Sequence, residues 1–147
     1  MSDRIEQIVE LAAPPTRVWQ VLTDHREFGA WFRVRLDGPF QVGSVATGQI
    51  THPGYEHLSW RALIERMDSE QVFAFSWEPA GDAMNELGHH VSTLVEFTLI
   101  PSGPGTRLLI SESGFDALPE ALRDEAYRRN ASGWEQQAQN ILAHVDG

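Results

Sequence analysis

Glu112 is the residue whose position most directly predicts chemistry. It lies between Thr106 and Gly114, where Leu108 and Ile110 alternate with other residues as they do in a β-strand. Side chains of a strand point alternately to its two faces, so Glu112 shares the inward face of Leu108 and Ile110. A buried carboxylate needs a partner, such as an arginine or the polar end of a ligand, and it could act as a general acid or base. The alternative interpretation is a sheet-end carboxylate that reaches solvent beside Gly114.

Large aromatic side chains are predicted to face the same interior. Phe75 and Trp77 share one face of a strand, Phe97 lies in a later strand, and Trp134 lies in the last helix. Such rings could supply flat apolar walls for a ligand, and Trp31, which lies near a turn, is a candidate for the mouth of a cavity. The competing interpretation is plain core packing, and only a void distinguishes the two.

Three residues flank the apolar stripe of the last predicted helix. Asn130 is predicted to present an amide to the interior, whereas Gln137 is expected at the surface. A glycine inside a helix lowers stability by about 1 kcal/mol relative to alanine, so the presence of Gly133 requires a structural explanation. Close packing of the helix against a strand is preferred over a gap that admits a ligand.

The composition removes several chemistries. The sequence has no Cys and its 11 basic residues are all Arg, which excludes disulfides, thiolate nucleophiles and side-chain Schiff bases. His89 and His90 are adjacent and would point to opposite faces of a strand, while His52 and His57 are separated by a turn. No serine lies in a nucleophile-elbow sequence. No catalytic residue can therefore be named, and no metal and no cofactor are predicted.

The overall composition is that of one globular domain spanning residues 1–147. The chain is 41% hydrophobic and 22% charged, with a formal net charge of −10. An acidic exterior without a run of Arg disfavours nucleic acid and anionic lipid as partners. Nothing approaches about 18 consecutive apolar residues, and no signal peptide is recognisable at the amino terminus. We therefore expect a cytoplasmic protein without membrane insertion.

The hydrophobic pattern of the first third predicts the elements that precede these residues. Ile5 to Leu11 is predicted as a strand, and Pro15 to Thr23 as a helix, because proline is tolerated in a first helical turn. Asp24 to Phe32 is predicted as a second short helix or turn. Phe40 to Thr51, which contains two glycines, is predicted as a short hairpin.

The remaining pattern predicts two strand pairs and a long helix. Leu58 to Met67 pairs with Val72 to Trp77, and Val91 to Ile100 pairs with Thr106 to Gly114. The segment between the pairs, Glu78 to Gly88, is predicted as a loop that could lie over a pocket mouth. The helix from Pro119 to Val145 carries an apolar stripe at alternating steps of four and three, namely Tyr127, Ala131, Trp134, Ala138, Ile141 and Val145.

That stripe must be buried, and the concave face of the sheet is the available apolar surface. The predicted fold is therefore α+β, with a curved antiparallel sheet wrapped around a long carboxyl-terminal helix and two short helices after the first strand.

Short motifs run in a fixed order along nearly the whole chain. They are Val18, Trp19, Leu22, Thr23 and Asp24, the pair Trp31 and Phe32, Gly43 after Phe40, the strand end Phe75, Ser76 and Trp77, the strand from Gly105 and Thr106 to Gly114 and Phe115, and Gly133 with Trp134. In this order the chain resembles bacterial single-domain members of the START-like (SRPBCC, helix-grip) superfamily, specifically the group similar to the carboxyl-terminal domain of the activator of heat-shock protein 90 ATPase. The resemblance implies a cavity between sheet and last helix that relatives use for lipids, polyketides, hormones or other apolar ligands. It implies no shared catalytic residues.

Three hypotheses about function follow. The preferred one is binding of a small hydrophobic molecule in that cavity, with contacts from Trp31, Phe75, Trp77, Phe97, Glu112, Asn130 and Trp134. The second is a cyclase-type or hydrolase-type enzyme in which Glu112 acts on the bound molecule. The third is an interaction module for a chaperone, which ranks last because the separate chaperone-binding domain of the eukaryotic activator is not expected here. An edge strand in an open sheet also supports a homodimer.

Overall fold

The computed structural model describes residues 3–79 and 91–147. Its elements are β1 (Arg4–Leu11), α1 (Pro15–Thr23), α2 (His25–Phe32), β2 (Val34–Leu36), β3 (Val45–Ile50), β4 (Ser59–Asp68), β5 (Val72–Trp77), β6 (Thr93–Ser102), β7 (Gly105–Ser113), a short 3₁₀ helix (Phe115–Ala117) and α3 (Glu120–Asp146). The predicted loop from Glu78 to Gly88 lies, from residue 80 onward, outside the described residues.

The strands form one antiparallel, curved sheet in the order β1-β7-β6-β5-β4-β3-β2. The two short helices follow β1, and α3 packs its buried side, Ala126, Trp134, Ala138 and Ile141, into the core. This is the predicted α+β architecture. No helix in the described ranges combines the length and the apolar character that a bilayer crossing requires.

Local sequence signals explain how the first helices and the β6–β7 hairpin form. Pro15 begins α1, and the Asp24 carboxylate caps α2 by accepting from the backbone N–H groups of Arg26 at 2.9 Å and Glu27 at 3.4 Å. At the start of β7, a Cβ on Gly105 would overlap the carbonyl oxygen of Leu11. The glycine therefore permits the close approach of β7 to the end of β1.

The hairpin predicted within Phe40 to Thr51 is wrong. That segment supplies one strand, β3, whose hairpin partner is the preceding β2, with Val34 opposite Ile50. Arg33 adopts the left-handed conformation, with φ of 72°, and turns the chain directly from α2 into β2. A strand of three residues that follows a helix without a break has too few positions to display a period of two.

Aromatic rings fill the space between the sheet and the helices. Phe28, Phe73, Phe75 and Phe97 are fully buried, and their ring centroids lie 5.9–6.4 Å from those of their neighbours within this group. The stripe of α3 predicted from the sequence faces this core, with Tyr127, Ala131 and Val145 only partly buried. Among the described residues, the space around Phe28 is thus filled by aromatic rings.

Candidate functional site

Glu112 lies on the boundary between the sheet and α3 and is completely buried. From the sheet, Trp77 Nε1 and Thr93 Oγ1 donate to its Oε2 at 2.8 and 2.5 Å. From α3, Trp134 Nε1 donates to Oε1 at 2.8 Å, and Asn130 Nδ2 contacts both oxygens at 3.0 and 3.1 Å. The interpretation in which this carboxylate reaches solvent is therefore wrong.

Sheet register and helix periodicity together produce this arrangement. Glu112 is opposite Val95 on β6, Thr93 is two residues from Val95 on the same face, and Trp77 on β5 is opposite Thr93. The three side chains therefore run diagonally across β7, β6 and β5. Asn130 and Trp134 are four residues apart on α3, so they point toward the sheet from successive turns.

The hydrogen-bond partners of Glu112 are neutral side chains in the described part of the chain, not the arginine considered from the sequence. An indole N–H is a donor only, so both carboxylate oxygens serve as acceptors here. These bonds link β7, which carries Glu112, to β5, β6 and α3. The carboxylate consequently fixes the two tryptophan rings in position relative to each other.

A pocket of about 110 Å³ opens beside these groups. Its lining comprises Phe32, Trp77, Asn130, Gly133, Trp134 and Gln137. The rings of Trp77 and Trp134 stack with centroids 5.8 Å apart and an interplanar angle of 28°, and Phe32 presents a tilted ring 6.2 Å from each. Three mutually contacting aromatic rings thus form one apolar wall, which we call the aromatic wall.

Gly133 and Gln137 border the pocket in ways that the sequence did not predict. A Cβ on Gly133 would meet no atom within 4 Å, so close packing against a strand, the preferred explanation for this glycine, is wrong. Gln137 is half-buried instead of exposed, and its Nε2 donates to the Phe32 carbonyl oxygen at 3.0 Å. The glycine leaves the pocket open, and the glutamine holds the end of α2 against α3.

The seven residues predicted as ligand contacts divide into two groups. Trp77, Asn130 and Trp134 line the pocket, and Glu112 lies directly behind them. The other three, Trp31, Phe75 and Phe97, lie in the packed interior. Their role as ligand contacts stays a prediction.

Trp31 is not at a cavity mouth. It is buried and its Nε1 donates to the Val21 carbonyl oxygen at 3.1 Å, while the adjacent Phe32 lines the pocket. Successive residues of a helix point about 100° apart, so the rotation of α2 about its own axis decides which of the two rings faces the pocket. The only sequence signal for Phe32 was that it forms, with Trp31, one of the motifs shared with the family.

The pocket is smaller than the hollow expected between sheet and helix. Sites for drug-sized ligands occupy roughly 300–1,000 Å³, whereas an apolar cavity of about 150 Å³ accepts benzene. The observed 110 Å³ is smaller than both, so the pocket as it stands holds a short alkyl group or part of one ring. A larger molecule would have to displace part of the aromatic wall.

A second cleft of about 290 Å³ lies between α2 and β2. His25, Arg26, Arg35 and Thr51 contribute to its lining, and no aromatic side chain other than the imidazole is among its lining residues. The cleft is larger, but two exposed arginines, Arg26 and Arg35, border it, and it has no stacked aromatic rings. For an apolar ligand the aromatic wall is the better match.

An ion-pair network joins the three helices at the other end of α3. Arg17 donates to both carboxylate oxygens of Glu27 at 2.6 and 2.7 Å, and His144 Nε2 lies 3.1 Å from the same carboxylate. The hydrogen bonds from the Arg17 guanidinium hold the pKa of Glu27 below its ordinary value, and His144 contributes in the same direction. This network stabilises the packing of α1 and α2 on α3.

A long helix gripped by a curved antiparallel sheet, with a polar cluster and a pocket on their boundary, defines the helix-grip class within the SRPBCC superfamily. The chain belongs to the family described as Activator of Hsp90 ATPase homolog 1-like protein, whose model matches residues 12–146. The recognition from sequence motifs is thereby confirmed. A search of curated proteins gave no match to this chain.

Solved structures share the fold at low sequence identity. DynU16, from the dynemicin biosynthetic locus, is 18% identical with a TM-score of 0.76 over 99% of this chain, which spans about half (48%) of the DynU16 chain. Protein MLL2253 from Mesorhizobium loti is 20% identical with a TM-score of 0.75, covering 97% of this chain and 96% of its own. An Aha1 dimer from Colwellia psychrerythraea is 13% identical with a TM-score of 0.71, covering 99% and 96%.

Proposed function

We propose that this chain binds a small apolar molecule of aromatic, lipid or polyketide type in the pocket between α3 and the sheet. The observation that carries the proposal is the open space at Gly133 directly beside the aromatic wall of Phe32, Trp77 and Trp134. A helix position that could hold a Cβ atom without a clash instead holds glycine, the residue that keeps the pocket open. Flat rings on one side and a gap on the other suit a planar or slender ligand.

In this proposal Glu112 positions the wall and does not act on the ligand. It is fully buried and its two oxygens accept hydrogen bonds from four side chains. A general acid or base must come within hydrogen-bond reach of the reacting atom, and Trp77, Asn130 and Trp134 stand between Glu112 and the pocket. The geometry therefore supports a binder more than a cyclase or hydrolase that uses this residue.

The relatives supply a context for the ligand. The assignment of DynU16 to a biosynthetic locus supports a small organic molecule as the ligand of this chain. The solution structure of the Colwellia protein is described as a dimer, which supports a homodimer here, to be checked by sedimentation. A chaperone partner remains the third hypothesis and predicts stimulation of the chaperone's ATPase activity by the purified chain.

The proposal is tested by closing the pocket from the helix side. Gly133→Leu places a branched side chain in the open space, whereas Ser132→Leu places the same side chain on the exposed neighbouring position. A panel of fatty acids, single-ring and multi-ring aromatic compounds and aromatic polyketides is screened by thermal shift against both variants and the wild type. We expect at least one compound to stabilise the wild type and Ser132→Leu but not Gly133→Leu. Absence of any shift with the wild type, or equal shifts with all three proteins, would contradict the proposal.

A further inference from the structure

Trp60 on β4 carries an indole N–H without a hydrogen-bond partner. The residue is only 6% exposed, and its Nε1 is one of two buried side-chain nitrogen or oxygen atoms without a partner among the described residues. Trp31, Trp77 and Trp134 differ in this respect, because each donates its indole N–H to a carbonyl or carboxylate oxygen. Buried donors are nearly always satisfied, so the exception requires an explanation.

The ring of Trp60 lies directly behind two residues that line the pocket. Its centroid is 5.8 Å from that of Phe32 and 6.2 Å from that of Trp77. Phe32 and Trp77 thus contact the pocket on one side and Trp60 on the other.

The two indoles that line the pocket have no donor to offer a ligand. Trp77 and Trp134 each have a single N–H, and Glu112 accepts both. Asn130 directs its amide nitrogen to both oxygens of Glu112, and Gln137 uses one of its two amide N–H groups for the Phe32 carbonyl. Trp60 Nε1 is therefore an indole donor near the pocket that remains available.

We infer that Trp60 Nε1 donates a hydrogen bond to an acceptor atom of the ligand, and that the ligand is an aromatic or apolar molecule carrying a neutral carbonyl. This inference rests on the proposed function and names the chemistry of its ligand. A neutral carbonyl is favoured over a carboxylate because Glu112 lies behind the same wall and the chain carries a net charge of −10. Glu112 and the stacked Trp134 hold the Trp77 ring, so the side chain of Phe32, which forms no hydrogen bond, is the one that rotates to admit the carbonyl.

The inference is tested with two probes that differ by one carbonyl group, acetophenone and ethylbenzene. Binding to ¹⁵N-labelled protein is followed through the indole N–H resonances, with that of Trp60 assigned from the spectrum of Trp60→Phe. We expect acetophenone to shift the Trp60 resonance downfield and to bind up to about tenfold more tightly than ethylbenzene, as a neutral hydrogen bond allows. In Trp60→Phe this preference should disappear while ethylbenzene affinity stays within about twofold.

Trp31→Phe is the matched control, since Trp31 Nε1 is already bonded to the Val21 carbonyl. It should keep the preference for acetophenone and lower the thermal midpoint of the unliganded protein by roughly 2–4 °C more than Trp60→Phe does, because both variants lose the same ring volume but only Trp31→Phe also loses a hydrogen bond. Equal binding of both probes to the wild type overturns the inference and leaves the proposed function standing. Binding of neither probe counts against both. A midpoint of Trp60→Phe as low as that of Trp31→Phe shows a structural partner for the N–H and also overturns the inference.

Discussion

The indole rings of Trp77 and Trp134 stack 5.8 Å apart across the boundary between β5 and α3, while their N–H groups donate to different oxygens of the same carboxylate. Stacking fixes the distance between the rings, and the shared acceptor fixes their rotation. A pocket wall made of two large side chains from separate elements therefore has a defined shape in the absence of a ligand. Such preorganisation reduces the entropy that binding would otherwise cost.

Replacing Glu112 by glutamine should destabilise the protein by about 2–4 kcal/mol. The amide nitrogen of glutamine cannot accept a hydrogen bond, so at least one of the groups that donate to Glu112 would lose its acceptor. The measurement is the free energy of unfolding from urea titration. Glu96→Gln on the neighbouring strand, where no side-chain bond to Glu96 is found in the described residues, is the control and should change stability by less than about 0.5 kcal/mol. Equal stabilities of the two variants would show that the polar cluster contributes little.

Two glycines should respond in opposite directions to alanine. Gly133→Ala adds a methyl group to open space and removes the entropic cost of a helical glycine, so stability should rise by about 0.5–1 kcal/mol. Gly105→Ala places the same methyl group against the Leu11 carbonyl oxygen and should destabilise the protein. Both are measured by urea titration. A loss of stability in Gly133→Ala would indicate that the space beside this glycine is filled.

The fold could be predicted largely because its main elements show unbroken periods. The alternation in β6 and β7 also placed Glu112 on the inner face, and the stripe of α3 placed Trp134 there. The strand β2 could not be found, since three residues carry no detectable period. Periodicity identifies faces of elements but gives no distances between them.

That limit explains the errors at the site. Gly133 and Gln137 lie four residues apart on the flank of α3, and whether a flank is packed, open or exposed depends on the position of α2. No pattern within α3 contains that information. The donors to Glu112 likewise come from three other elements, so a buried acceptor could be predicted from the sequence but its neutral partners could not.

The stability contributed by Glu27 should disappear in acid. Its pKa is lowered in the folded protein, chiefly by the hydrogen bonds from Arg17, relative to an ordinary value of 4.5. A carboxylate with a depressed folded pKa stabilises the fold above its unfolded pKa, and the contribution falls as pH drops below about 4.5 toward the folded value. The unfolding free energy of wild type minus that of Glu27→Gln should therefore shrink between roughly pH 5 and pH 3. The same difference measured in an Arg17→Met background should depend less on pH, and an unchanged dependence would show that Arg17 is not the main cause of the lowered Glu27 pKa.

Coupling between Trp134 and Glu112 should be measurable as non-additivity. Trp134→Phe removes the N–H that donates to Oε1 at 2.8 Å and keeps an aromatic ring in the wall. If the two residues act through this bond, the double variant with Glu112→Gln should be more stable than the sum of the single effects predicts, by about 1–2 kcal/mol. Trp31→Phe combined with Glu112→Gln is the control, because Trp31 donates to Val21 instead, and its effects should add within about 0.5 kcal/mol. Additive effects in both pairs would mean that Trp134 is held by ring packing alone, and Glu112 would then have no role in positioning Trp134.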